Sequence, residues 1–128
     1  MSFARSPTGF QLHQVAVYGT LKRGGVNHAF LRGARYVGKA RLTGIALYDL
    51  GAYPAARLEP SAGVQVEVYR VTGAGLRRLD RLEDYRPDDP GRGEYDRQQL
   101  TTPFGPAWVY LYNRRIQGRR RIVRGGWC

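Results

Sequence analysis

Two short segments of this chain bring together residue types and spacings that could do chemistry. The first, Val15-Ala16-Val17-Tyr18-Gly19-Thr20-Leu21-Lys22-Arg23-Gly24-Gly25, is an apolar run that enters a glycine-bearing turn. Gly19, Gly24 and Gly25 supply the positive-φ or close-approach positions with which a backbone can aim N–H groups at a small anion, and Thr20 adds a hydroxyl at the same place. In the second, Leu76, Leu79 and Glu83 fall at i, i+3 and i+7 of a predicted helix, so a carboxylate stands at the inner end of an apolar stripe. Burial raises the pKa of such a group; Asp80 and Asp84 would push the same way, and Arg81 and Arg86 would oppose. A carboxylate tuned toward neutrality is a general acid–base. The structural alternative is a helix-terminal Glu that reaches solvent or pairs with a neighbouring Arg. The other glutamates differ in setting. Glu59 precedes a proline, Glu67 alternates with valines on a strand, and Glu94 lies in a Gly-rich segment. Glu67 on the outer face of its strand would serve as a control, with Glu67→Gln expected within a few-fold of the parent.

The elements that must position these groups follow from periodicity and turn residues. Val15 to Tyr18 reads as the first strand, Asn27 to Leu31 as a short helix, and Tyr36 to Tyr48 as a long extended stretch broken at Gly38 or Gly44. Val64 to Arg70 alternates as a strand, and Thr72 caps the helix that carries Glu83. Arg86 to Glu94 is a loop rich in Pro, Gly and Asp beside that acid. Arg97 to Thr102 and Ala107 to Tyr112 form a hairpin across Pro103-Phe104-Gly105-Pro106. Tyr48, Tyr53, Tyr69, Tyr110 and Tyr112 read most simply as core aromatics, a minority of them in a pocket.

Several motifs in order resemble the gamma-glutamylcyclotransferase-like family. They are Tyr18-Gly19-Thr20-Leu21, Gly44 to Ala55 with Tyr53-Pro54-Ala55 at its end, Val66-Glu67-Val68-Tyr69, Leu79 to Glu83, Tyr95-Asp96-Arg97, Ala107 to Tyr110, and the closing Gly125-Gly126-Trp127. The resemblance runs from Val15 to Trp127 and implies an α+β fold, a small mixed β-barrel with a few packed helices. It also implies a reaction in which the α-amine of a γ-glutamyl amide or peptide attacks its own γ-carbonyl, giving 5-oxoproline and a free amine. Glu83 would carry the proton, the backbone of Tyr18, Gly19, Thr20 and Leu21 would bind the glutamyl unit, and Tyr95 would form a hydrogen-bonding wall. A bacterial, uncharacterised branch of the family and antibiotic-tailoring relatives leave the leaving group open.

Other chemistries lack their residues. No serine lies in a G-x-S-x-G context, and neither a phosphate-binding G-x-x-x-x-G-K-[ST] loop nor a G-x-G-x-x-G run is present. His13 and His28 are isolated and the sole cysteine is Cys128, so no metal-ligand spacing exists and no cofactor is implied. His28 reads as a local structural contact. A chain of 128 residues with 42% hydrophobic content supports one core, with residues 1–14 as a flexible lead-in and 15–128 as a single domain. A lone cysteine, no apolar run of spanning length and no signal-peptide pattern give the expectation of a cytoplasmic protein with no membrane partner.

Charge is the main challenge to an enzymatic reading. A formal net charge of +11, mostly from arginine, would attract polyanions. Arg114, Arg115, Arg119, Arg120, Arg121 and Arg124 concentrate it near the end of the chain, so nucleic-acid binding is the rival, and a catalytically silent interaction module is the third reading. No helix-turn-helix, zinc-finger or RNP pattern accompanies the arginines. If the basic surface reached the pocket mouth, acidic γ-glutamyl peptides would be favoured over γ-glutamyl-lysine type amines. Oligomeric state is not written in the sequence.

Overall fold

The computed structural model describes residues 12–123 and 126–127. Of the expected lead-in, residues 1–11 lie outside the described residues, as do Arg124, Gly125 and Cys128. The first strand, β1 (His13–Val17), begins two residues earlier than its apolar run suggests, because Gln14 donates through its amide to the carbonyls of Phe104 and Pro106, each at 3.0 Å. The extended stretch becomes β2 (Arg35–Leu42) and β3 (Ile45–Asp49), separated at Thr43-Gly44, with a register shift in β2 between Tyr36 and Gly38. After them come β4 (Pro54–Leu58) and β5 (Val64–Val71), then the helix α1 (Gly73–Leu82), the hairpin β6 (Tyr95–Thr102) and β7 (Gly105–Tyr112), and the two-residue β8 (Arg121–Ile122). Single 3-10 turns span His28–Leu31 and Pro90–Arg92.

These strands form a five-stranded sheet, β2-β5-β1-β7-β6, and a three-stranded sheet, β4-β3-β8. β1 is antiparallel to β5 and parallel to β7. The α+β class expected from the sequence is what the chain adopts, but among the described residues the sheets do not close into a barrel. The reason lies at Thr43-Gly44. The turn sends the chain out of β2 into β3, which pairs with β4 and β8, and the larger sheet keeps β2 and β6 as its edges.

Alternation along each strand builds three layers. Ala16, Val64, Val66, Val68, Ala107 and Val109 face the smaller sheet and pack on Ile45, Leu47 and Ala56. Val15, Val17, Tyr69 and Val71 face the other way and receive Leu76 and Leu79 of α1 together with Leu31 of the first 3-10 turn. The helix is held at its start by Thr72, whose Oγ1 accepts from the Gly75 N–H at 3.1 Å. Thr72→Ala leaves that N–H without its cap and is expected to cost about 1 kcal/mol of stability, read as a lower urea midpoint with an unchanged slope.

Candidate active site

The helix that Leu76 and Leu79 bury ends at Glu83, its C-cap, where the main chain turns sharply: Asp84 takes a φ of +54°, unusual for a side chain other than glycine. The Asp84 carboxylate closes this corner. Its Oδ1 accepts from Arg86 at 3.2 Å and its Oδ2 from the Glu94 N–H at 3.0 Å, so the end of α1 is tied to the start of β6. Between this corner, the end of β1 and the start of β4 lies a cavity of about 180 Å³. That is smaller than the ~300 Å³ at which cofactor and drug-sized pockets begin.

All six residues singled out in the sequence line this cavity: Tyr18, Gly19, Thr20, Leu21, Glu83 and Tyr95. The turn after β1 is fixed by the backbone bonds of Lys22 to Gly19, Gly25 to Lys22 and Asn27 to Thr20, and by the Asn27 amide donating to Thr20 Oγ1 at 2.9 Å. Of the three glycines, Gly24 takes the positive φ, while Gly19 and Gly25 are close approaches: a Cβ at Gly19 would lie 2.8 Å from Pro54 Cγ, and one at Gly25 would strike the Thr20 carbonyl. With the turn so held, the N–H groups of Gly19, Thr20 and Leu21 find no acceptor among the described residues. They are available to an oxygen in the cavity.

Glu83 receives no hydrogen bond or ion pair among the described residues, so it does not take the salt-bridged role that its neighbours in sequence suggest. Burial raises its pKa to about 7, and the Glu94 carboxylate adds to the shift. Asp80 and Asp84, expected to do so, are turned to other work. Asp80 is gripped by Arg97 at 2.8 and 3.2 Å and accepts from the Tyr110 hydroxyl at 2.7 Å; Asp84 serves the corner already described. The tyrosines are spent on the frame. Tyr18 donates to the Tyr110 carbonyl at 2.6 Å and Tyr95 to the Pro54 carbonyl at 3.1 Å, and burial raises both phenols far above their ordinary range. His28 is the local contact expected: its Nδ1 lies 2.9 Å from the Leu21 carbonyl, which can only accept, so this nitrogen carries the proton.

Glu67 is not an outer-face bystander. Its Oε1 accepts from the Arg23 N–H and from the Tyr69 hydroxyl, each at 2.9 Å, and so ties the turn to β5. Glu67→Ala is expected to raise KM several-fold with a smaller change in kcat, on the scale of one lost hydrogen bond of ~1 kcal/mol, while Glu67→Gln retains an acceptor oxygen and recovers most of the loss. Steady-state kinetics on any accepted substrate separate the two.

Sequence reasoning missed Tyr53, Asn27 and Glu94 as lining residues. Glu94 precedes the wall residue Tyr95, which was the available signal. Tyr53 lies at the end of the Gly44 to Ala55 motif, and its hydroxyl donates to Glu94 Oε2 at 2.6 Å. Two arginines near the chain's end lie elsewhere. Arg120 pairs with Asp49 at 3.3 Å and Arg121 with Glu59 at 3.4 Å on the smaller sheet, and among the described residues no Lys or Arg lines the cavity.

Residues 15–128 match the family model described as "Gamma-glutamyl cyclotransferase, AIG2-like". A Vibrio cholerae protein is 41% identical over 117 residues, spanning 91% of this chain and 96% of its own. The gamma-glutamylcyclotransferase family protein YtfP of Escherichia coli K12 is 36% identical over 114 residues, with 89% and 95% covered. The gamma-L-glutamyl-butirosin B gamma-glutamyl cyclotransferase of Niallia circulans is 35% identical over 103 residues, covering 77% of this chain and 65% of the relative. Among solved structures, protein PH0828 of Pyrococcus horikoshii superposes with a TM-score of 0.73 at 30% identity, covering 89% of this chain and 88% of that one.

Proposed function

This chain belongs to the gamma-glutamyl cyclotransferase, AIG2-like family, and on that premise we propose that it cyclises a γ-glutamyl amide or peptide to 5-oxoproline with release of the amine, Glu83 carrying the proton. The observation that carries this reading is that Glu83, whose pKa is raised by burial to about 7, lines the same small cavity as Gly19, Thr20 and Leu21, whose N–H groups find no acceptor among the described residues.

The reaction asks little more of a protein. The substrate brings its own nucleophile, so holding it folded back draws on the large effective molarity of a well-placed intramolecular attack. One proton of the α-ammonium passes to the Glu83 carboxylate and frees the lone pair that attacks the γ-carbonyl carbon. The tetrahedral oxyanion is met by N–H donors of the Gly19-Thr20-Leu21 turn. As it collapses, the bond to the leaving nitrogen breaks and Glu83 returns its proton there; the ring nitrogen gives its second proton to the liberated amine. A carboxyl near neutrality suits both transfers, since it is part base and part acid at the same pH. Tyr95 and Tyr18, with their hydroxyls committed to carbonyls, act as rigid walls for the glutamyl unit.

The test is 5-oxoproline release from a panel of γ-glutamyl amides and peptides, followed by chromatography. Release identifies the reaction, and silence across the panel overturns it.

A further inference from the structure

The protein carries a net charge of +11, yet among the described residues two carboxylates and no Lys or Arg line its cavity. They occupy different depths. Burial desolvates the Glu83 carboxyl at the end of α1 enough to raise its pKa, whereas Glu94 shares a solvent-exposed hydrogen bond with Tyr53, itself 36% exposed. Glu94 therefore stands at the rim.

Its main chain is pinned on both sides: the N–H donates to Asp84 Oδ2 at 3.0 Å and the carbonyl accepts from the Asn113 N–H at 2.9 Å. The carboxylate is partnered only by a neutral phenol, through Oε2, and among the described residues nothing donates to Oε1. Arginines of the same region are engaged elsewhere, Arg86 on Asp84 at 3.2 Å and Arg114 on the Arg92 carbonyl at 3.3 Å. A carboxylate oxygen is thus held in place at the mouth with room for one more donor, and among the described residues no cation is bonded to it.

We propose that Glu94 is a specificity-determining residue that takes a positively charged group on the leaving amine, making γ-glutamyl amides of cationic amines the substrate class. The proposal rests on the cyclotransferase reading. Proton transfer at Glu83 places the scissile amide at depth, so whatever lies beyond that amide crosses the rim, where Glu94 and Tyr53 stand. The α-ammonium is the other cation on the substrate, but in the proposed reaction it gives its proton to Glu83 and so lies at depth, away from the rim. The sequence-based expectation of acidic substrates rested on a basic mouth, and the lining residues give an acidic one.

The experiment compares three γ-glutamyl amides of matched length, made from cadaverine, hexylamine and aminohexanoic acid, so that the tail ends in an ammonium, a methyl or a carboxylate. At low ionic strength the parent is expected to rank them in that order by kcat/KM, with about tenfold between ammonium and methyl, the effect of a partly solvated charge pair. Steering by the net charge alone would reverse the order. Glu94→Gln is expected to bring the ammonium-to-methyl ratio close to one, and Glu94→Lys to invert it. The ratio cancels any effect of these variants on Glu83, which all three amides share. A parent ratio of one, or a ratio unmoved by Glu94→Gln, with 5-oxoproline still released, overturns the assignment of Glu94 and leaves the reaction standing. No 5-oxoproline from any of the three amides or from the panel overturns the reaction, and this assignment with it.

Discussion

Glu83→Gln is expected to lower 5-oxoproline release by ~10²- to 10⁴-fold, the span over which a positioned general acid–base acts, while the protein remains folded. Gln is nearly isosteric and sits at a helix end whose capping bonds run through the backbone, Glu83 N–H to the Leu79 carbonyl at 2.9 Å, so the frame has no reason to change. Turnover within tenfold of the parent would remove Glu83 from the mechanism. The same variant makes a second, opposite claim about stability. Burial first, and the Glu94 carboxylate second, raise the Glu83 pKa from 4.5 to about 7, so the folded state binds this proton more tightly than the unfolded chain does. The sign follows from linkage. The parent's stability from this group is fully present below about pH 4.5 and is lost as pH rises through 7, where an uncompensated carboxylate remains in the cavity. At pH 8 and above, the Gln variant is therefore expected to exceed the parent by up to ~3 kcal/mol, a gap that closes on acidification. In the parent, kcat/KM is expected to follow the same group and to fall as pH drops below about 7.

The lining of the cavity was legible in the sequence where one element carried it alone. The strand-to-turn run at Val15 to Gly25 and the Leu76, Leu79, Glu83 stripe each obey a single local period; Ala16 to Leu21 of the first and Glu83 of the second line the cavity, while Leu76 and Leu79 pack in the core. What escaped was set by pairing at a distance. Glu67 looked like any alternating strand residue, because nothing local says that Arg23 lies across from it. Glu94 was set aside as part of a Gly-rich loop, since its place depends on Asp84, at the end of α1, holding its N–H. The barrel failed for a related reason: periodicity assigns residues to strands but not strands to sheets, and the break at Thr43-Gly44 decides which sheet β3 joins. Net charge misled in the same way. A sum over 128 residues carries no position: two of the chain's ten acidic residues, Glu83 and Glu94, line the cavity, and among the described residues no Lys or Arg does.

Loss of Arg97 is expected to have the largest effect on the fold. Its guanidinium lies between the rings of Tyr85 and Trp108, 4.5 and 4.1 Å from their centroids, and grips both oxygens of Asp80 with each partner side chain only 13% exposed. Asp80 also receives the Tyr110 hydroxyl, and the Tyr110 carbonyl receives the Tyr18 hydroxyl, so one chain of bonds runs from α1 through β6 and β7 to the end of β1. Such a pair adds little net stability beyond what an apolar replacement of both members would give, but removing one member strands the other. Arg97→Met keeps the apolar stem between the two rings and leaves the Asp80 carboxylate with a phenol alone. A loss of ~3 kcal/mol or more is expected in urea or thermal unfolding. The double variant Arg97→Met with Asp80→Leu should recover much of it, because no buried charge then remains. An Arg97→Met protein as stable as the parent would mean that water reaches Asp80 and that this bond chain does not brace the cavity wall. Recovered stability without recovered turnover in the double variant would show that the Tyr110 to Tyr18 link depends on Asp80 for its geometry, and that the wall behind the glutamyl unit is positioned from α1.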